Sequence, residues 1–233
     1  MKNQYFGDNR DLFKYDLVCH LMRNITHLRC FTFIPMLTEN DDKGYGKERD
    51  RSKARAGTEN TELKEFLDKF YDESKRDVTR IKDYFSIKGI RMRMYKESVT
   101  LGSDNRETYF RNIEPGFLTQ SLVLVDPDIG LGFNNPDKEH LTYYEARELF
   151  EKMDNSSILM IYQHFPRKIH RQCVKDWMRE FSKEVVVLPL FISDNRIIFF
   201  LIAKDPGLKE KLHESLLKYK ERYQKLRTDQ SEF

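Results

Sequence analysis

The sequence predicts an α/β fold built on a mainly parallel sheet that ends in an antiparallel hairpin. Short, continuously apolar runs alternate with amphipathic helical patterns, which is typical of parallel strands that are covered on both faces. Near the end of the chain, "EVVVLPLFI" and "RIIFFLIAKD" are separated only by "SDN". Two strands joined by so short a turn must be antiparallel, because a parallel pair needs a long crossover.

Helical and strand patterns follow one another along the whole chain. Apolar spacing predicts helices over residues 11–22, 61–84 (one or two helices), 141–153, 169–183 and 208–226. Continuous or alternating apolar runs predict strands over residues 29–36, 90–98, 121–125 and 158–162, with the closing hairpin over 185–203. Trp177 and Phe181 are expected in the core.

A parallel α/β sheet closed by an antiparallel hairpin is the arrangement of the Rossmann-like three-layer sandwich of S-adenosylmethionine (SAM) methyltransferases. We expect one domain of this type over residues 1–233, with a charged, partly helical insertion at about 43–88. In open α/β sheets the ligand crevice lies beyond the carboxyl ends of the strands. Asp126 directly follows a buried strand in "LVLVDPDIGLGF", so it is expected at that crevice.

Composition restricts the class of protein only loosely. Among 233 residues, 41 Lys and Arg against 38 Asp and Glu leave a formal charge of +3, which permits an RNA or DNA partner without requiring one. The longest apolar runs are too short to span a bilayer, and the N-terminus has no signal-peptide core. Cys19, Cys30 and Cys173 have no metal-like spacing and are interpreted as reduced thiols. We therefore expect a cytoplasmic protein with no membrane partner.

Polar residues follow two neighbouring predicted strands. Asp126, Pro127 and Asp128 end the first strand, and Tyr162 and His164 end the second, so the five form a candidate catalytic group. A carboxylate and a ring at such a place suit a target amine and its base. With Asp41 and Asp42, the same aspartates and His164 could instead bind Mg²⁺ or Mn²⁺ for phosphodiester hydrolysis. The plain alternative is that Asp126 begins a loop.

The opening "YFGDNRDLFKYDLV" resembles that of the adenine-N6 methyltransferases that act on large-subunit ribosomal RNA. The matching residues are Gly7, Asp8, Asp11, Leu12, Phe13, Lys14 and Tyr15. The "LVLVDPDI" stretch lies where that family has a strand ending in Asp-Pro-Pro-Tyr, although Asp128 and Ile129 replace the last two residues. Residues from about 43 to 88 are unmatched.

This resemblance implies a role for two groups of residues. Asp126 and Pro127 would orient the target amine, with Phe133 or Tyr162 as a nearby ring. The cofactor side would be lined by Gly7, Asp8, Lys14, Met36 and Thr38. A glycine-rich cofactor loop normally follows the first strand directly, whereas Gly44 and Gly46 come several residues after that strand. Asp8 is also a plausible N-cap of the first helix.

The sequence is more closely similar to an uncharacterised family of bacterial and archaeal proteins. Its members share Tyr-Phe-Gly-Asp, a Met-Leu-Thr segment, Asp-Pro-Asp-x-Gly-Leu and Tyr-Gln-His-Phe-Pro-Arg, and this similarity brings no established reaction. The leading hypothesis is a SAM-dependent methyltransferase acting on nucleic acid, with an adenine amine as a candidate acceptor and no resident metal. The alternatives are a metal-dependent nuclease or phosphoesterase using Asp126 and Asp128, and a catalytically inactive binding protein. The sequence leaves the oligomeric state open.

Overall fold

A computed structural model describes residues 1–42, 49–51, 55–102, 104–132, 137–223 and 225–233. Its helices are α1 (Asn9–Asn24), α2 (Thr61–Asp68), α3 (Ile81–Ile87), α4 (Arg106–Arg111), α5 (Tyr143–Lys152), α6 (His170–Glu184) and α7 (Pro206–Glu221). Its strands are β1 (Cys30–Ile34), β2 (Met92–Met94), β3 (Ser121–Val125), β4 (Gly130–Gly132), β5 (His140–Thr142), β6 (Ile158–His164), β7 (Leu190–Ser193) and β8 (Ile197–Ala203).

Six strands form the main sheet, in the order β2-β1-β3-β6-β8-β7. The first four are parallel, and β8 runs antiparallel to both β6 and β7. Strands β4 and β5 form a separate parallel pair. The predicted α/β class is confirmed, as are the pairing of β3 with β6 and the closing antiparallel hairpin. The architecture is compatible with a Rossmann-like fold.

Both faces of the sheet are covered, which explains the continuous apolar runs. On one face, Leu122 and Leu124 share a core with residues of α1, α2, α3 and α7. On the other, Val123 and Val125 share a core with α5 and α6, including Trp177 and Phe181 as predicted. Because successive strand residues point to opposite faces, a strand covered on both sides needs apolar residues at every position.

The two helices α2 and α3 fall within the predicted insertion, and they belong to the core rather than to a separate lobe. Leu63, Phe66 and Phe85 are buried in the same cluster as Leu12 and Tyr15 of α1. The remaining parts of the insertion at residues 43–48 and 52–54 lie outside the described residues, as do Gly44 and Gly46. The described helices of this segment therefore help to hold α1 against the sheet.

The closing hairpin is shorter than the sequence suggested. The prediction began at Val185, but the first strand begins at Leu190. Val186 has a φ of 62° and is 80% exposed, and Pro189 has no backbone N–H to donate to a strand partner. A left-handed residue interrupts an extended strand, so residues 185–189 form a connection after α6 instead.

The strand order reverses between β1 and β3. The chain leaves β1 for β2 on one side and leaves β3 for β6 on the other, so these two strands flank the point where the order reverses. Crevices of open α/β sheets lie at the carboxyl ends of such strands. Here Ile34 pairs with Val125, and the Asp126 amide donates to the Ile34 carbonyl at 3.0 Å.

Cys19, Cys30 and Cys173 are buried free thiols, as predicted. In the part of the chain that the structure describes, no helix has the length and apolar character needed to cross a membrane.

Candidate functional site

A small cleft of about 40 Å³ opens at the carboxyl end of β3. It is bounded by the N-terminal segment, the start of α1, the loop after β3 and the end of β6. The predicted residues that line it are Asp8, Lys14, Asp126, Pro127, Asp128, Tyr162 and His164. Residues from three distant parts of the chain therefore meet beside the switch point of the sheet.

The central interaction of the cleft is a buried group of three charges. Lys14 Nζ donates to Asp126 Oδ2 and to Asp11 Oδ1, each at 2.7 Å. Lys14 is 3% exposed and Asp126 is 1% exposed. Burial alone would lower the pKa of Lys14, but the Asp11 and Asp126 carboxylates outweigh burial and raise it. The ammonium group therefore stays charged and holds Asp126 at the cleft.

Gly7 and Asp8 form the turn into α1. The Asp8 side chain is the N-cap and accepts from the amides of Arg10 and Asp11 at 2.8 and 2.9 Å. Burial, reinforced by Asp11, raises the pKa of Asp8 to about 6. Gly7 has a φ of 82°, and a Cβ there would lie 2.9 Å from the Arg49 guanidinium. Asp8 lines the cleft while capping the helix, whereas Gly7 shapes the turn behind it.

Met36 and Thr38 lie beside the cleft and contact the N-terminal residue. The Met1 amine donates to the carbonyls of Met36 and Asp126 at 3.0 and 3.4 Å. The Thr38 amide donates to the Met1 carbonyl at 2.8 Å. Since these carbonyls follow β1 and β3, Met1 lies in the crevice between the two strand ends.

Lys2 closes the same crevice through ion pairs. Its Nζ contacts Asp128, lies 2.6 Å from Glu139 Oε1 and lies 3.3 Å from Asp41 Oδ2. Burial would lower the pKa of Lys2, but hydrogen bonds to Asp128 and Glu139 raise it. Three carboxylates from separate loops are thus held by one ammonium group.

Tyr162 and His164 form a coupled pair at the end of β6. The Tyr162 hydroxyl lies 2.7 Å from His164 Nε2, and the Lys14 ammonium lies 5.1 Å from the centre of the Tyr162 ring. Burial, together with a smaller effect of Arg10, lowers the pKa of His164 to about 3, so the imidazole is neutral at neutral pH. The Tyr162 ring is buried under Lys14 and does not present an open face to a base. Phe133, the other candidate ring, lies outside the described residues.

The aspartates proposed as metal ligands are engaged by lysines. Asp41 and Asp128 pair with Lys2, while Asp126 pairs with Lys14, and His164 bonds to Tyr162. Asp42 is exposed. Within the described ranges, no group of three or more His, Cys, Asp or Glu side chains is arranged to hold a metal ion.

Several cleft residues were absent from the sequence prediction of the site. Asp11, Arg10, Lys2 and Tyr5 line the cleft, and Glu139 supports it through Lys2. Asp11 had a signal, because residues three apart share a helix face and Lys14 lies three positions later. Lys2 had none, because its partners come together only when the fold is complete.

Comparisons with protein-family models, with curated proteins and with solved structures found no match to this chain. The site is therefore interpreted from its own geometry and chemistry.

Replacing Lys14 by Met should lower the free energy of unfolding by about 3–5 kcal/mol, because two buried carboxylates lose their common partner. Urea unfolding measures the change. Arg23→Met on the exposed side of α1 is the control and should change stability by less than about 0.5 kcal/mol. Adding Asp126→Asn to Lys14→Met should restore part of the loss. Equal effects of Lys14→Met and Arg23→Met would show that the buried charges are not coupled.

His164 should make stability fall in mild acid. An unfolded histidine has a pKa near 6.5, whereas that of folded His164 is about 3. Its contribution is therefore complete above about pH 6.5 and is lost as the pH falls towards 3, because only the unfolded chain takes up the proton. Between pH 7 and 5 the loss should reach at most about 2 kcal/mol.

Urea unfolding of the parent chain and of His164→Asn at pH 7 and pH 5 measures this dependence. The variant should lose less stability than the parent between the two pH values. His213→Asn, at an exposed position on α7, should behave as the parent does. The explanation fails if His164→Asn keeps the full pH dependence.

Proposed function

We propose that this protein is a SAM-dependent methyltransferase that acts on an amine of a nucleic acid. The observation that carries the proposal is the position of Asp126 and Pro127. They follow a central parallel strand at the reversal point of a sheet that closes with an antiparallel hairpin. Lys14, from the opening segment that resembles the ribosomal RNA enzymes, contacts Asp126 at this point.

The chemistry expected of Asp126 follows from its environment. Bound SAM would supply the methyl group: a bond would form from the amine nitrogen to the methyl carbon, the electron pair of the broken sulfur–methyl bond would stay on sulfur, and the proton lost from the nitrogen would pass to water. An ionised carboxylate can accept the N–H groups of the amine and so hold its lone pair in one direction. Lys14 occupies Oδ2 of Asp126, and no described residue donates a hydrogen bond to the other oxygen. That oxygen and the Pro127 carbonyl are the proposed acceptors.

The cleft can take the cofactor only after Met1 and Lys2 leave the crevice. Ligand sites usually measure roughly 300–1,000 Å³, whereas this cleft measures about 40 Å³ with Met1 and Lys2 in the crevice. The groups that bind these two residues are the Met36 carbonyl and the carboxylates of Asp41, Asp128 and Glu139. They suit a cationic ligand, and SAM carries a sulfonium and an ammonium group. We therefore include withdrawal of the N-terminal segment in the proposal.

The other two hypotheses have less support. A metal-dependent nuclease would need Asp126 and Asp128 to exchange lysine partners for a divalent cation. A binding protein without turnover accounts for the closed cleft but leaves the position of Asp126 without a role. The experiments below separate all three.

Asp126→Asn should reduce methyl transfer at least 100-fold while SAM affinity changes by less than about twofold, because a neutral amide is a poorer acceptor for the amine. Transfer from tritiated SAM to total cellular RNA or DNA measures turnover, and calorimetry measures affinity. Asp83→Asn, at an exposed position on α3, is the control. Activity should persist in EDTA. Cleavage of the RNA or DNA that requires Mn²⁺ and stops in EDTA, without methyl transfer, would favour the nuclease hypothesis, and SAM binding without transfer would favour the binding protein.

Lys2→Ala should tighten SAM binding about tenfold, equivalent to about 1.4 kcal/mol, because the competing ammonium group is removed. Calorimetry with SAM measures the change. Lys138→Ala removes the same charge from a neighbouring exposed position and should have little effect. Unchanged or weaker binding in Lys2→Ala would show that Lys2 does not compete for the crevice.

A further inference from the structure

The edge of the sheet that carries the cleft is divided by charge. Beyond β1 and β3 lie the acidic side chains of Glu39, Asp41, Asp128, Asp137 and Glu139. Beyond β6 and β8 lie Arg167, Lys168, Arg171 and Arg196, which we call the cationic edge. Asp194 of the hairpin turn lies among them and accepts from the Arg196 and Ile197 amides. The Phe165 amide donates to the Arg196 carbonyl at 3.2 Å, so the loop after β6 and the hairpin turn are adjacent.

Three cations of this edge differ from Arg179 and Lys183 further along α6. Arg167, Lys168 and Arg171 are exposed, and none has a carboxylate within 4.0 Å among the described residues. Further along α6, Arg179 and Lys183 pair with acidic neighbours. On a solvated helix face, cations usually alternate with acidic residues, as Arg179 and Lys183 do. The start of α6 instead concentrates unpaired positive charge.

An aromatic pair, Phe165 and His170, flanks Arg167 and Lys168 in the chain. The rings of Phe165 and His170 stack with centroids 4.1 Å apart and an angle of 23°. Both residues are half-buried, and Ile169 between them in sequence is 78% exposed. Phe165 directly follows His164, which lines the cleft. Stacked rings beside cations are the features with which proteins hold unpaired bases and their phosphates.

We infer that the cationic edge binds single-stranded nucleic acid and leads it to Asp126. Arg167, Lys168 and Arg171 contact the phosphates, and a base stacks on the Phe165–His170 pair. A duplex is a poorer partner because its bases are already stacked on one another. The inference rests on the proposed function only in taking nucleic acid as the substrate, since binding at this edge needs no cofactor.

Fluorescence anisotropy with a fluorescein-labelled 12-nucleotide RNA, without SAM, tests the inference. Arg167→Glu with Lys168→Glu should weaken binding at least tenfold at 100 mM salt. The slope of log K against log salt should fall in magnitude by roughly 1.4, as two phosphate contacts are lost. The control is Arg23→Glu with Lys211→Glu, which makes the same charge change at exposed positions near the opposite edge. It should bind within about twofold of the parent chain.

A second variant tests the stacking contact. His170→Ala should weaken binding at least threefold and leave the salt slope unchanged, because it removes a ring rather than a phosphate contact. An unchanged affinity in this variant would remove the base-stacking part of the inference.

Three results would overturn the inference. Equal losses in the two charge-reversed proteins would attribute binding to net charge alone. Equally tight binding of a 12-base-pair duplex would remove the single-strand assignment. A failure to bind RNA, with binding to phosphatidylserine vesicles that depends on Arg167 and Lys168, would assign the edge to a membrane surface. RNA binding without methyl transfer would contradict the proposed function and leave this inference intact.

Discussion

The site depends on one buried ammonium group. Lys14 joins α1 to the end of β3 by contacting Asp11 and Asp126 at the same 2.7 Å distance. Burying such charges costs several kcal/mol per ion, and apolar residues of similar volume often stabilise a fold as well or better. Apolar residues, however, would not fix the direction of a carboxylate. The interaction therefore matters for position, because it holds Asp126 at the cleft, while Asp11 also accepts from the Gly7 amide and ties the turn before α1 to the same group.

The arrangement of the sheet was accessible from sequence because burial on both faces leaves an unbroken apolar run. The runs at Leu122–Val125 and Ile158–Ile161 have that property, and the structure pairs them residue by residue. Val185 to Val187 have the same composition but do not form a strand. Their conformation is decided by the exit from α6, by the left-handed Val186 and by Pro189, and a hydrophobic pattern does not encode these constraints.

The candidate site was predictable to the extent that it follows from strand ends. Asp126, Tyr162 and His164 meet because parallel neighbours end at one edge, and that rule needs no side-chain detail. The role of Asp8 could not be decided from sequence, because the residue that caps α1 also lies at the cleft. The lysine contacts could not be predicted. Lys2 meets Asp41, Asp128 and Glu139 across as many as 137 positions of sequence, and only the completed fold brings them together.

Lys2 and the carboxylates that bind it belong to the same chain, and this affects which ligands can compete for the crevice. A tethered group competes at a fixed effective concentration, which for short flexible segments is in the millimolar range, and dilution of the protein does not weaken it. Met1 and Lys2 are adjacent in the chain and both make contacts in the crevice, so a free cation must displace the two residues together. Small cations that make one contact gain too little to do so. Under the proposed function, a ligand that spans both positions should therefore displace this segment more readily than a small cation that makes one contact.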